Sequence, residues 1–256
     1  MAGLALVILL GWGLIGCSED DPDPNNTNNI DKTVNQKPVG ASAQDFLQST
    51  SFDRLVVEIQ YVEGYAPTQD ALDNLKDFLE TYLDKPAGIT LLKNSIPSPG
   101  LAPYSAEDIR SIEDKNRSSY NAEETLAAYI FFADGPSAED TENSKILGIA
   151  YRNTSMAIFE STVRDLSDGI FEPDRSLLES TILNHEFGHV LGLVNVGTPL
   201  QSDHQDTEHG HHCDVEGCLM NWVVETGDIV DNLVSAETVP SLDAQCAADL
   251  KANGGK

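Results

Sequence analysis

PDRSLLESTILNHEFGHVLGLVN, residues Pro173 to Asn195, is the stretch on which the fold turns. Pro173-Asp174 opens a helix, the apolar pattern carries it to about Leu191, and Gly192 stands where a left-handed residue ends a helix. His185 and His189 lie four apart on it, about 40° from one another around the axis, so both imidazoles leave the same face. All six histidines of the chain fall between His185 and His212, a crowding that scattered surface residues would not produce.

His185-Glu186-Phe187-Gly188-His189 is an H-E-x-x-H motif. On a helix this spacing suits one Zn²⁺ held by the two imidazoles at about 2.0–2.1 Å. Glu186, one residue on, reaches a water on the metal rather than the metal and serves as general base. Zinc brings the pKa of such a water to about 7, so hydroxide is available at neutral pH. Downstream stands Cys213-Asp214-Val215-Glu216-Gly217-Cys218-Leu219-Met220-Asn221.

H-E-x-x-H-x-x-G, a further ligand and then a Met resembles the metzincin pattern of zinc peptidases. The Cys213-x4-Cys218-x-Met220 run resembles the archaemetzincins, in which the third zinc histidine immediately precedes it. The detailed resemblance covers about residues 178–220 and, weakly, the C-terminal helix. It implies an α/β (α+β) fold: a twisted mixed sheet packed on helices, the zinc helix at the cleft, and a loop-rich C-terminal subdomain. Met220 would form the Met-turn under the metal, by packing and not by ligation. The resemblance also implies a catalytic zinc and a protein or peptide substrate.

Position 195, where the third ligand is expected, is Asn, a feeble zinc ligand beside imidazole. His212 takes the archaemetzincin position and is the expected third ligand, with residues 195–211 as an inserted loop. His204 is the rival, with Asp203 or Asp206 as its partner, and Asn195 stands third. His209 and His211 read as exposed loop residues, and Asp203, Asp206 and Glu208 as solvated carboxylates. Archaemetzincins hold a second, structural zinc through four cysteines. Here Cys213, Cys218 and Cys246 with Asp243 would make a Cys3Asp site, and a disulfide between two of the three cysteines is the alternative.

Outside this region the pattern alternates strands and helices. Leu55 to Val62 alternates as a half-buried strand, with Glu58 and Gln60 facing away from the core. A helix follows Pro67-Thr68, and Gly88 to Leu92 forms a short strand. Ser105 to Asp108 is a capping box opening another helix. Leu126 to Ala133 is a continuous apolar run that suits a central strand covered on both faces. Ile146 to Tyr151 and Met156 to Phe159 are two further strands, the second a candidate to pair with an extended substrate. A last helix spans about 242–252.

Met1 to Gly16 carries no charged side chain and fits a signal segment too short to span a bilayer comfortably. Leu14-Ile15-Gly16-Cys17 resembles a bacterial lipobox, which makes Cys17 the lipid anchor. Ser18-Glu19-Asp20-Asp21 resembles an export tag, so the expected location is the cell envelope, on the outer membrane and facing outward. Residues 17–48, acidic and Asn-rich, read as a disordered tether. Residues 49–256 form the zinc peptidase domain, with an N-terminal subdomain over 49–194 and a C-terminal one over 195–256. The net charge of −27, from 42 acidic and 15 basic residues, repels phosphate backbones and argues against nucleic acid as a partner. Two other functions fit parts of the pattern: a non-catalytic peptide- or zinc-binding lipoprotein, and a His-rich metal-capturing surface protein. Neither of these requires Glu186.

Overall fold

The computed structural model describes residues 30–256. Cys17, the lipobox-like residues before it and the signal segment lie outside the described residues. In chain order the elements are α1 (Ala43–Leu47), β1 (Arg54–Val62), α2 (Gln69–Tyr82), β2 (Gly88–Ile96), α3 (Ala106–Asn116), β3 (Thr125–Phe132), β4 (Gly148–Arg152) and β5 (Ser155–Ile158). After them come α4 (Glu160–Asp165), α5 (Arg175–Val190), α6 (Ile229–Leu233) and α7 (Ala244–Ala252). The strands form one sheet in the order β2-β1-β3-β5-β4, parallel except for β4, which runs antiparallel to β5. The chain is thus a mixed α/β fold, and no helix among the described residues is long and apolar enough to cross a membrane.

β3 is central, and its apolar run serves two cores at once. Leu126, Ala128, Ile130 and Phe132 pack with α2 and α5 on one face, while Tyr129 and Phe131 pack with Ile109 and Ile112 of α3 on the other. α3 starts with the expected capping box: Ser105 Oγ accepts from the Asp108 amide at 3.2 Å, and the Asp108 carboxylate accepts from the Ser105 amide at 3.0 Å. Because α3 covers the second face, Glu58 and Gln60 are buried and do not face water as the alternation suggested. Burial forces them to find partners. Glu58 accepts from the Ser118 and Ser119 amides at 3.0 and 2.6 Å, and Gln60 accepts from the Tyr129 hydroxyl at 2.5 Å.

The expected tether to residue 48 is corrected over residues 31–48. Lys32–Asn35 form a 3₁₀ turn capped by Asp31, and the Asn35 side chain is buried and donates to Asn121 at 2.9 Å. Phe46 and Leu47 are fully buried, and Phe46 meets Phe187 of α5 edge-on at 5.5 Å. Low average hydrophobicity concealed two large apolar anchors, and the polar residues around them are satisfied by loops distant in sequence.

α5 is the helix that positions the site, and every residue from Leu178 to Val190 is buried. Asp174 caps it, accepting from the Ser176 and Leu177 amides at 2.8 and 3.3 Å. Glu179 ties it to α2: its carboxylate accepts from the Thr68 amide at 2.8 Å and the Thr68 hydroxyl at 2.5 Å. Glu160 of α4 is buried nearby and accepts from Arg164 at 2.6 Å. Burial first, and the neighbouring Glu179 carboxylate second, push the Glu160 carboxyl up to about 8. The folded state therefore keeps a proton on Glu160 that the unfolded chain releases near 4.5. This contribution to stability is full below pH 4.5 and disappears as pH rises to about 8. Thermal melts of the wild type across that window are expected to fall with pH, and Glu160→Gln is expected to flatten the fall. Equal slopes in the two proteins would rule the assignment out.

Candidate metal centre

α5 delivers His185 and His189 to one point, and the chain returns His212 to the same point from the loop beyond. His189 Nε2 lies 3.1 Å from His185 Nε2. Donor atoms of all three histidines and of Glu225 lie within 4.8 Å of one another. Two of the rings are set by backbone carbonyls: His185 Nδ1 donates to Leu219 O at 2.6 Å, and His212 Nδ1 donates to His209 O at 2.7 Å. A neutral ring that keeps its proton on Nδ1 and donates it in this way turns a bare Nε2 lone pair inward. Two such nitrogens crowded with the His189 Nε2 in a buried site repel one another unless a cation lies between them. Burial above all, then the other two imidazoles, hold the His189 ring down to about 4, though Glu225 opposes this. His189 is thus a neutral ligand-type imidazole at ordinary pH.

Under the helix, a Cβ on Gly188 would fall 2.3 Å from the Met220 sulfur, so this position is kept bare for Met220 to pack. Gly192, at φ +77°, ends the helix where a Cβ would meet the Thr198 amide nitrogen at 2.7 Å. Glu186 is fully buried against β4, and a Cβ on Gly148 would meet its Cγ at 2.8 Å. Neither carboxylate oxygen of Glu186 has a hydrogen-bond partner within the protein. Burial, reinforced by the Glu225 charge, raises the Glu186 carboxyl well above the usual carboxylate range.

A cavity of about 350 Å³ opens beside the histidines, lined by Val39, Ile149, Ala150, His189, His212 and Glu225 among others. Its strand wall is β4, the terminal strand of the sheet. Met156 to Phe159 therefore does not offer an edge to a peptide: β5 is paired with β3 on one side and β4 on the other.

The second cluster is separate. His204 does not join the three histidines and is corrected as a rival third ligand there. It is fully buried, with Nδ1 at 3.4 Å from Cys213 Sγ and 3.8 Å from Cys246 Sγ. Cys218 Sγ lies 3.7 Å from Cys246 Sγ. All three cysteines are free thiols, so the disulfide alternative does not hold. Donors around a tetrahedral zinc with bonds of about 2.3 Å to sulfur and about 2.0–2.1 Å to nitrogen lie about 3.5–3.8 Å apart. The His204–Cys213, His204–Cys246 and Cys218–Cys246 separations are close to that spacing. On its far side, His204 Nε2 contacts the buried Asp249 carboxylate at 2.8 Å, the carboxylate–histidine arrangement that orients a metal-ligating ring. Asp249, and not Asp203 or Asp206, is thus its partner. Hydrogen bonds from the Cys213 and Cys246 thiols, and from the Asp243 and Met220 amides, hold the Cys218 thiol far below its ordinary range. Asp243 is part of the cluster, its carboxylate within 4.8 Å of the His204, Cys213 and Cys246 donors and 3.7 Å from Cys218 Sγ, and its Oδ1 also caps α7 by accepting from the Cys246 amide at 2.8 Å.

The remaining residues are placed as follows. Asn195 is exposed and donates to Gln205 at 3.3 Å. His209 stacks on Trp222 at 4.2 Å and contacts Asp206 at 2.6 Å, so Asp206 organises its own loop. Asp203, Glu208 and His211 are exposed. Sequence reasoning missed Glu225, Asp249 and Gly148. Glu225 is one of 42 acidic residues and no spacing marks it.

No protein-family model and no curated protein matches the sequence. The fold is similar to that of the archaemetzincin from Methanopyrus kandleri, with 18% identity, 78% of this chain and 96% of that chain covered, and a TM-score of 0.51. A zinc-dependent peptidase from Methanocorpusculum labreanum also aligns, with 15% identity, 76% and 99% covered, and a TM-score of 0.45. The first likeness is one of fold.

The division of labour between His204 and Asp243 is directly measurable. Asp243→Asn keeps a good helix cap and is expected to retain the wild-type zinc content. His204→Ala is expected to lose one equivalent of zinc per chain. Loss of that equivalent by Asp243→Asn alone would decide for the Cys3Asp assignment.

Proposed function

We propose that the chain is a zinc-dependent endopeptidase of metzincin type. The observation that carries this reading is the convergence of three Nε2 atoms beside a buried, unpartnered Glu186. His185, His189 and His212 would hold the catalytic ion. His204, Cys213, Cys218 and Cys246 would hold a second, structural one. Met220 would act as the Met-turn, packing under Gly188. When bound at the histidines, zinc supplies Lewis acidity, acidifying a water and polarising the scissile carbonyl.

The protein groups do the rest. Glu186 takes the proton of the attacking water and passes it to the leaving amine, a role suited to a carboxyl whose pKa burial has raised. The free edge of β4 would bind an extended peptide by strand addition, which places it along the cavity beside the histidines. The N-terminal resemblance to a lipobox supports a lipid-anchored enzyme at the cell envelope.

Glu186→Gln is expected to keep its zinc while peptide cleavage falls by about 10²–10⁴-fold or more. Cleavage by the purified Gln variant at the wild-type rate would defeat the assignment of Glu186 as the general base. Cys17→Ser is expected to move the protein from the membrane fraction to the soluble fraction, or to leave its signal uncut. A wild-type protein recovered wholly soluble with a free Cys17 thiol would refute the anchor.

A further inference from the structure

We infer that Glu225 is a displaceable fourth ligand of the histidine centre, a built-in carboxylate that fills the water's place until a peptide enters. This inference rests on the metal centre proposed above. Glu225 Oε1 lies 3.0 Å from His189 Nε2, 3.1 Å from His212 Nε2 and 3.5 Å from His185 Nε2. With the 3.1 Å separation of the His185 and His189 nitrogens, these are four of the six edges of a tetrahedron, and every donor lies within 4.8 Å of the others. Four N and O donors on one zinc at about 2.0–2.1 Å would stand about 3.3 Å apart. The three distances from the carboxylate oxygen, 3.0 to 3.5 Å, bracket that value, as a fourth ligand requires.

Direction separates the His212–Glu225 contact from an ordinary hydrogen bond. His212 Nε2 has no hydrogen-bond partner, although Glu225 Oε1 is only 3.1 Å away. In a hydrogen bond the ring nitrogen aims at the oxygen. In a coordination shell every donor aims at the common centre, and neighbouring donors meet at hydrogen-bond distances without hydrogen-bond angles.

The means of displacement is also built in. Four protein ligands make a closed site, whereas a zinc peptidase needs one position open. The backbone of Glu225 is fixed, its carbonyl accepting from the Leu147 amide at 3.0 Å while Thr226 bridges to Ile146. The side chain, 31% exposed, borders the cavity, so rotation about its own bonds is enough to clear the vertex. The pinned segment also occupies the sheet edge just before β4. A peptide adding to β4 thus runs along Gly148–Arg152 and ends against the residue it must displace. Substrate binding and opening of the site are in this way one event.

The test uses the full chain as wild type, Glu225→Ala, the near-isosteric Glu225→Gln, and His212→Ala. Cobalt(II) separates the two centres, since only the thiolate cluster gives a sulfur-to-cobalt charge-transfer band. The affinity of the histidine centre is read by chelator competition, and that of the loaded centre for acetohydroxamate by calorimetry. Both Glu225 variants are expected to bind metal at least about tenfold more weakly, as loss of a ligand requires. Loaded Glu225→Ala is expected to bind acetohydroxamate at least about tenfold more tightly than the wild type, there being no carboxylate to displace. Unchanged metal affinity in both variants would overturn Glu225 as a ligand. Weaker metal binding without tighter hydroxamate binding would overturn its displacement. Wild-type metal affinity in His212→Ala would instead overturn the histidine centre itself, whatever Glu225 does.

Discussion

Three imidazole nitrogens are brought to within hydrogen-bond distance of a single carboxylate oxygen in a buried site, and most of the C-terminal half exists to hold them there. α5 alone supplies two of them. The orientation of His185 depends on the Leu219 carbonyl, and that of His212 on the His209 carbonyl. Both carbonyls come from a segment without long regular elements, so the segment must be immobilised by other means. Met220 does part of this, lying against the helix where Gly188 leaves no side chain. A larger residue at 188 would lift the turn and with it the carbonyl that orients His185.

The cysteine cluster does the rest. His212 belongs to one centre and its neighbour Cys213 to the other. Cys218 stands two residues before Met220, and Cys246 on α7 draws the end of the chain onto the same point. A ligand set drawn from residues 204 to 246 closes loops of very different length around one spot. Loop closure costs grow only slowly with length. The insertion between Gly192 and His212 is therefore tolerated, and it contributes His204 to the clasp. The two centres share a backbone, and disturbance of either is transmitted through one peptide bond.

Glu225 gives the site its particular character. A histidine triad with one free position and a triad closed by a carboxylate differ by the rotation of one side chain. The backbone beneath that side chain is stitched to the lead-in of the strand that would receive a peptide. Occupation of the strand edge and occupation of the fourth vertex therefore compete for the same space.

The amino-acid sequence by itself determined the local features. The cap and end of α5, the pairing of His185 with His189 on one helical face, the capping box at Ser105 and the two-sided burial of β3 all follow from residues within a turn or two of one another. His212 was legible only because the Cys213-x4-Cys218-x-Met220 run marked its place. The tertiary structure alone decided the partners that meet across long separations. Glu58 and Gln60 are buried because α3 covers them, which no alternation pattern records. Residues 31–48 are ordered because Phe46 finds Phe187, a contact invisible in a polar stretch. His204 left one metal cluster for the other because Asp249, 45 residues on, receives its second nitrogen. Glu225 joined the histidines for the same reason. Spacing along a helix or strand is set by backbone geometry and can be read from sequence, whereas contacts between distant loops are set by packing, which exists only in the folded chain.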